Sequence, residues 1–245
     1  MNFSLNQSLS TFVSLAAATF LVSCAAPKTT DQISDPIEPV NRVVHGFNGV
    51  VDTFAIEPAA RGYRAAVPKP ARKGVRNFLR NLNAPTNFAN EVLQGDFDGA
   101  GHVLTRTSVN TFIGLGGLID VAAHEGLEHT HEDFGQTLAV WGIGHGPYLV
   151  APLLGPGSLR DYTGMAVDVY ADPLNRWLHN TDEDEWIYAR TAATVIDNRE
   201  ALLEVLEDLQ ANSIDFYATL RSVYVQNRND EILDGKSNNN YPEFE

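Results

Sequence analysis

The sequence predicts a mainly α fold, and three observations carry that prediction. Apolar residues recur at three- and four-residue steps in several segments, few stretches alternate at the two-residue period of a half-buried strand, and no segment repeats. The 245 residues suffice for one large domain or two small ones, with an apolar share of 44% that is ordinary for a globular chain.

The first element is a leader. Residues 11–22, TFVSLAAATFLV, form an apolar run shorter than the ~20 residues that a membrane helix needs, and they fit the apolar core of a signal peptide. The run closes on Leu21-Val22-Ser23-Cys24, which resembles a bacterial lipobox: cleavage before Cys24 leaves a thiol to be acylated. Cys24 is the single cysteine, so no disulfide within the chain is expected. MNFSLNQSLS lacks the usual Lys or Arg of a leader. Ala25 and Ala26 follow the cysteine where an Asp would signal inner-membrane retention, which points to the outer membrane. The expected organisation is a lipoprotein signal peptide over 1–23, the lipidated Cys24 and a tether over 24–34, a helical domain over 35–228 and a disordered acidic tail over 229–245.

DPIEPVNR opens the first helix of the domain. Val40, Val43, Val44, Phe47, Val50, Val51 and Phe54 line one face, and Pro58 is expected to stop it. Pro68 and Pro70 start the next helix. Its apolar face carries Val75, Phe78, Leu79 and Leu82, its basic face Lys69, Arg72, Lys73, Arg76 and Arg80, and Asn83-Ala84-Pro85 is expected to end it. Further helices follow over 86–93 and 99–112. FIGLGGLID, residues 112–120, reads as a turn or hairpin closed by Asp120. The region from Glu185 to about Arg228 is the most regularly helical, with stripes at Leu202, Val205, Leu206 and Leu209 and at Leu220, Val223 and Tyr224.

Residues 132–161, EDFGQTLAVWGIGHGPYLVAPLLGPGSLRD, resist assignment. All charge sits at the two ends, and between them lie 13 apolar residues broken by six Gly and three Pro. That is apolar enough for a core strand or a membrane helix, yet too interrupted for either.

The chain is acidic, with 17 Lys+Arg against 31 Asp+Glu, which excludes the basic footprint of a nucleic-acid binder. The charge is uneven: residues 61–80 hold seven basic and no acidic side chains, while residues from Thr181 onward hold five basic against 15 acidic. A basic helix on a lipid-anchored chain fits an interfacial helix that meets anionic headgroups.

Enzyme and metal templates fail. HEGLEHTHED offers His124, His129 and His131 without H-E-x-x-H spacing or a cysteine partner, so it reads as a solvated polar loop and no metal site is expected. GLGG, residues 114–117, lacks the third glycine of a dinucleotide fingerprint, since Ile119 stands there. Ser158 has Pro156 and Arg160 where a nucleophile elbow needs glycines. Neither a cofactor nor catalytic residues are expected.

Several stretches together resemble the MlaA (VacJ) family of Gram-negative outer-membrane lipoproteins: DPIEPVNRVVHGFN (35–48), the block of Val67-Pro68-x-Pro70-x-Arg72 and NFLRNLNAP (67–85), NEVLQGDFDGA (90–100), RTSVNTFIGLGGLIDVA (106–122), the 132–161 block, and S-x-D-x-Y-x-x-x-R-x-x-Y-x-Q (213–226). The resemblance covers residues 35–228. It implies a single ring-like, mainly helical, membrane-associated domain with Gly/Pro-rich irregular segments and a long C-terminal helix. It further implies removal of mislocalised phospholipids from the outer leaflet, hand-over to a soluble periplasmic carrier, association with a trimeric porin, and no covalent catalysis.

Such a role has a physical requirement. A charged group at the bilayer centre costs ~3 kcal/mol or more by insertion scales, so a headgroup needs a polar path while its tails stay in lipid. Irregular backbone at membrane depth is tolerated where it is buried in protein or lines a cavity. On this reading, residues 134–157 build the ring wall. Gly114, Gly116, Gly117 and Asp120 gate or shape the channel, and Arg72, Lys73, Arg76, Arg80, Arg106 and Arg160 are candidates for headgroup contact. Arg106 and the Arg160-Asp161 pair fit equally a structural salt bridge. Two other readings stand beside transport: a structural lipoprotein binding porins or cell wall, and a hydrolase using the His-rich loop.

Overall fold

The computed structural model describes residues 32–234. Cys24 and the leader lie outside those residues, as does the tail beyond 234. The described chain is helical, with one small hairpin.

Helix α1 (Glu38–Val51) continues through a π-helical turn, Asp52–Ile56, into α2 (Glu57–Ala66). Pro58 therefore does not end the helix. In the wider turn the Glu57 N–H reaches back five residues to the Asp52 carbonyl, which absorbs the bonding pattern that the proline disrupts. Arg199 secures the turn, with Asp52 at 2.7 and 2.8 Å and Glu57 at 3.2 Å.

Helix α3 (Lys69–Gln94) also runs through its proline, Pro85, and joins the two helices expected from sequence into one. The lost backbone bond is tolerated because α3 is held along its length by α4 (Phe97–Phe112), α6 (Phe134–Val140) and α9 (Asp184–Ala201). Gly95, in the left-handed conformation at φ 82°, ends α3, and the Asp96 carboxylate caps α4 by accepting from the Gly99 N–H at 2.8 Å. A tight turn and the short α5 (Val121–His124) follow.

The interrupted block holds two strands, contrary to the expectation that it is neither strand nor span. Strands β1 (Tyr148–Ala151) and β2 (Gly155–Ser158) pair antiparallel, Tyr148 opposite Ser158. Leu153 and Gly155, both at positive φ, turn the chain between them. The open edge of β1 is closed by asparagines of α1. Asn41 bonds the Tyr148 carbonyl at 3.0 Å and the Val150 N–H at 2.9 Å, and Asn48 bonds the Ala151 carbonyl at 3.0 Å.

The rest is α7 (Leu159–Ala171), α8 (Pro173–Asn180), α9, α10 (Leu203–Asn212) and α11 (Phe216–Ile232). The C-terminal region is helical as expected and divides into three helices. Residues 229–232 belong to α11 and not to a disordered tail: Ile232 is buried, and Asn227 and Arg228 each bond Glu231 at 2.8 Å across the last turn.

The packing closes on itself. Helix α3 packs on α6, α6 on α7, α7 on α8, α8 on α9, and α9 back on α3, which also touches α8, so the five helices form a closed circuit of contacts with clefts between them. Hydrophobicity is inverted relative to a soluble domain. Among the described residues 17 buried side chains are polar or charged against 13 apolar ones, while 33 large apolar side chains are exposed. The α1 stripe foreseen from sequence turns outward, with Val43 73% and Phe54 80% exposed. No described helix is long and apolar enough to cross a membrane.

Candidate functional site

The lumen is a chain of cavities that share walls. The first, about 390 Å³ including its open part, lies between α3, α4 and the 129–130 segment, with Asn77, Arg80, Asn87 and His129 on its wall. The second, about 1040 Å³, shares Arg80 and His129 and is bounded by α9. The third, about 780 Å³, shares His131 and Thr194 with the second and reaches Asp168 and Arg190. The fourth, about 910 Å³, shares His131, Asp133 and Asp168 with the third and opens past Tyr224 and Arg228. Without their open parts they hold about 20, 460, 260 and 380 Å³, so the first has room for about one water and the others approach or reach the size of a small-molecule pocket, with charged side chains set into mainly apolar linings.

The glycine-rich turn shapes one wall. Leu115, Gly116 and Gly117 adopt φ 56°, 73° and 95° in succession. A Cβ on Gly117 would lie 2.5 Å from the Asn81 Cβ, and one on Gly114 would lie 2.2 Å from the Ile119 carbonyl oxygen, so both glycines are required by close approach. Outside the wall, Phe112, Ile113 and Leu115 are exposed. Asp120 caps α5 and accepts a bidentate pair from Arg106, 3.0 Å to each oxygen, and a bond from Asn110 at 2.9 Å. Burial opposes the Asp120 charge, but these donors outweigh it and lower its pKa. Arg106 also donates to the Leu127 carbonyl, so this buried pair staples the turn to the loop.

The basic face of α3 is not a single surface. Arg72 pairs with Glu200 at 3.2 Å and donates to the Arg64 and Val67 carbonyls. Arg76 pairs with Asp197 at 2.8 Å and Glu200 at 3.1 Å. These arginines bind α3 to Asp197 and Glu200 of α9. Lys73 is exposed, and Arg80 faces the lumen. The Arg160 side chain is fully buried, bonding Asp161 at 2.9 Å. It cannot reach a headgroup in this arrangement; its role is to hold the 143–161 segment together.

Arg228 is the main tie between α11 and the ring, at 2.6 and 2.7 Å from Asp133 and 3.1 Å from Asp161. Burial would raise the Asp133 carboxyl, yet Arg228 overrides it and holds it at about 2. Neighbouring Glu132 has no such cation. Burial, reinforced by Glu91, Asp234 and Asp133, pushes its carboxyl up to about 8 against the bond from Gln94. His129 is held down at about 4 by burial and then by Arg80, His131 and Arg106, with Asp120 opposing.

Sequence reading missed two groups. The His-rich loop is not merely solvated: His129 and His131 line the lumen. Asn77, Asn81 and Asn87 form a polar stripe with Asn90 one turn on, and Asn77, Asn87 and Asn90 are buried. The signal was present as asparagines at three-, four- and six-residue steps, but splitting the helix at Pro85 divided it. Among the described residues no group of three or more His, Cys, Asp or Glu is placed to hold a metal ion.

A circuit of helices with many exposed apolar side chains, charged groups lining its clefts, and no spanning helix among the described residues defines a membrane-associated helical protein with amphipathic clefts. The family model of the MlaA lipoprotein matches residues 33–231, and the chain belongs to that family. It is 39% identical over 225 residues to the intermembrane phospholipid transport system lipoprotein MlaA of Escherichia coli K12, covering 89% of this chain and 86% of the relative. It is 34% identical to the protein of that name from Haemophilus influenzae, covering 91% and 90%. A solved structure from work on the structural basis for maintenance of bacterial outer membrane lipid asymmetry aligns with a TM-score of 0.71 and 35% identity, covering 81% of this chain and 99% of that one.

Proposed function

We propose that this protein is the outer-membrane lipoprotein of an intermembrane phospholipid transport system. It is anchored through acylated Cys24 in the periplasm-facing leaflet, removes phospholipids misplaced in the outer leaflet, and hands them to a soluble periplasmic carrier. A trimeric porin is the expected neighbour in the membrane. The reading involves no covalent chemistry.

The observation that carries it is the inversion of polarity. Exposed Val43, Phe47, Phe54 and Phe112 suit a ring bathed in acyl chains. The adjoining cavities offer a headgroup charged and polar partners such as Arg80, His129, His131 and Asp168, and mainly apolar linings beside them. The buried Arg106–Asp120, Arg160–Asp161 and Arg228–Asp133 pairs keep the irregular segments rigid around that route.

The test is outer-leaflet phospholipid exposure in a deletion strain complemented with wild type, Cys24→Ala or a His129→Ala/His131→Ala form. Deletion is expected to raise exposure, wild type to reverse it, and Cys24→Ala to fail. Unchanged exposure on deletion refutes the reading.

A further inference from the structure

Arg80 is the exception among the lumen arginines. Arg76, Arg106, Arg190 and Arg228 line the cavities too, and each is neutralised, by Asp197, Asp120, Asp172 and Asp133 respectively. Arg80 forms no hydrogen bond or ion pair with a described residue. Its guanidinium, which carries five N–H donors and stays charged, is on the wall common to the first two cavities. His129 shares both cavities and feels the Arg80 charge. The charged groups acting on this imidazole are Arg80, His131 and Arg106, opposed by Asp120. Asn77 and Asn87 line the first cavity, and each amide gives one bond to the wall, at the Leu118 and Thr130 carbonyls, leaving its second N–H.

A free cation and an imidazole able to take a proton, both facing the roomy second cavity, form a receptor for a small anion, with the amide donors behind them in a recess the size of about one water. The outside of the same helix says which. Phe78, about 160° round α3 from Arg80, is exposed, so a group held at Arg80 sits across one helix from an apolar side chain. That layout suits a molecule with an anionic head and apolar tails. Resting on the transport reading above, we infer that Arg80 and His129, where both face the second cavity, form an anion subsite that takes the phosphodiester of a glycerophospholipid in transit. A single unpaired guanidinium makes the subsite a weak one, as a transport route requires, since a passing group has to leave as readily as it enters.

The test uses the full chain purified in detergent, with fluorescent phosphatidylglycerol, a diacylglycerol of the same chains, and inorganic phosphate as competitor. Arg80→Gln is expected to weaken phosphatidylglycerol binding about tenfold, the size of one charge-assisted hydrogen bond, and to leave diacylglycerol unchanged. Arg80→Lys recovers part of the loss. Wild-type affinity for phosphatidylglycerol rises from about pH 7 to about pH 5, because a bound anion lifts the His129 pKa, and His129→Gln removes that rise. Equal loss of both lipids in Arg80→Gln, or no loss, overturns the subsite and leaves the transport reading standing. Displacement by inorganic phosphate at concentrations matching the lipid shows a free-phosphate site and overturns the lipid assignment. Failure of the wild type to bind either lipid removes the transport reading, and the subsite with it.

Discussion

Glu132→Gln isolates the energetic consequence of placing a carboxyl in the lumen wall without a cation. Glu132 is 3% exposed, accepts a bond from Gln94 at 2.7 Å, and titrates at about 8 instead of 4.5. Between those values the folded state holds a proton that the unfolded state has released. Stability changes with pH in proportion to protons bound unfolded minus folded, so the Glu132 contribution is intact below 4.5 and is lost as pH rises through 8. At 1.36 kcal/mol per unit, the loss reaches about 3 kcal/mol at pH 7 as an upper value. His45, His129 and His145, whose pKa values burial lowers, act in the opposite direction, with stability rising as pH climbs through their range. The difference between variant and wild type cancels them. Thermal unfolding in detergent is the assay: near-equal stability is expected at about pH 4.5, and a variant advantage of about 2–3 kcal/mol at about pH 7, or roughly 5–10 °C. A variant–wild-type difference that is the same at both pH values would refute the reasoning.

Gly117→Ala is expected to destabilise by more than about 2 kcal/mol, since the new Cβ meets Asn81 at 2.5 Å and φ is positive, whereas Gly116→Ala, with open space around it, costs about 1 kcal/mol; denaturation midpoints compare the two. Phe47→Asp with Phe54→Asp is expected to abolish flotation of the non-acylated Cys24→Ala chain with liposomes while leaving its circular dichroism unchanged, because both side chains are exposed. Arg76→Ala strands the buried Asp197 carboxylate and is expected to cost about 3–5 kcal/mol; unfolding of Arg76→Ala/Asp197→Asn, which removes the stranded charge, is expected to recover part of it.

The helices of this protein are legible in its sequence where apolar spacing is regular, as in 38–51 and 97–112, and illegible where proline argues for a break that packing overrules. Pro58 and Pro85 both sit in continuous helical rods, one eased by a π turn and the other clamped by three neighbouring helices. The hairpin at 148–158 was hidden because its edge partners are the side chains of Asn41 and Asn48, more than 100 residues away. The arginines of α3 show the same limit: the spacing puts Arg72, Arg76 and Arg80 near one another, but only the position of α9 decides that two are paired and one is free.

By itself the sequence determined the helical class, the single Cys24, and the block over 132–161 that marks the family. What it could not determine is direction. A helical stripe specifies which residues share a face, and an apolar face is equally at home against a protein core or against acyl chains. Only the docking of α1 on β1 left the α1 stripe facing outward, and only the packing of α3 against the 129–131 segment and α9 gathered asparagines, histidines and Arg80 from distant segments around shared clefts, because tertiary packing sets which faces meet.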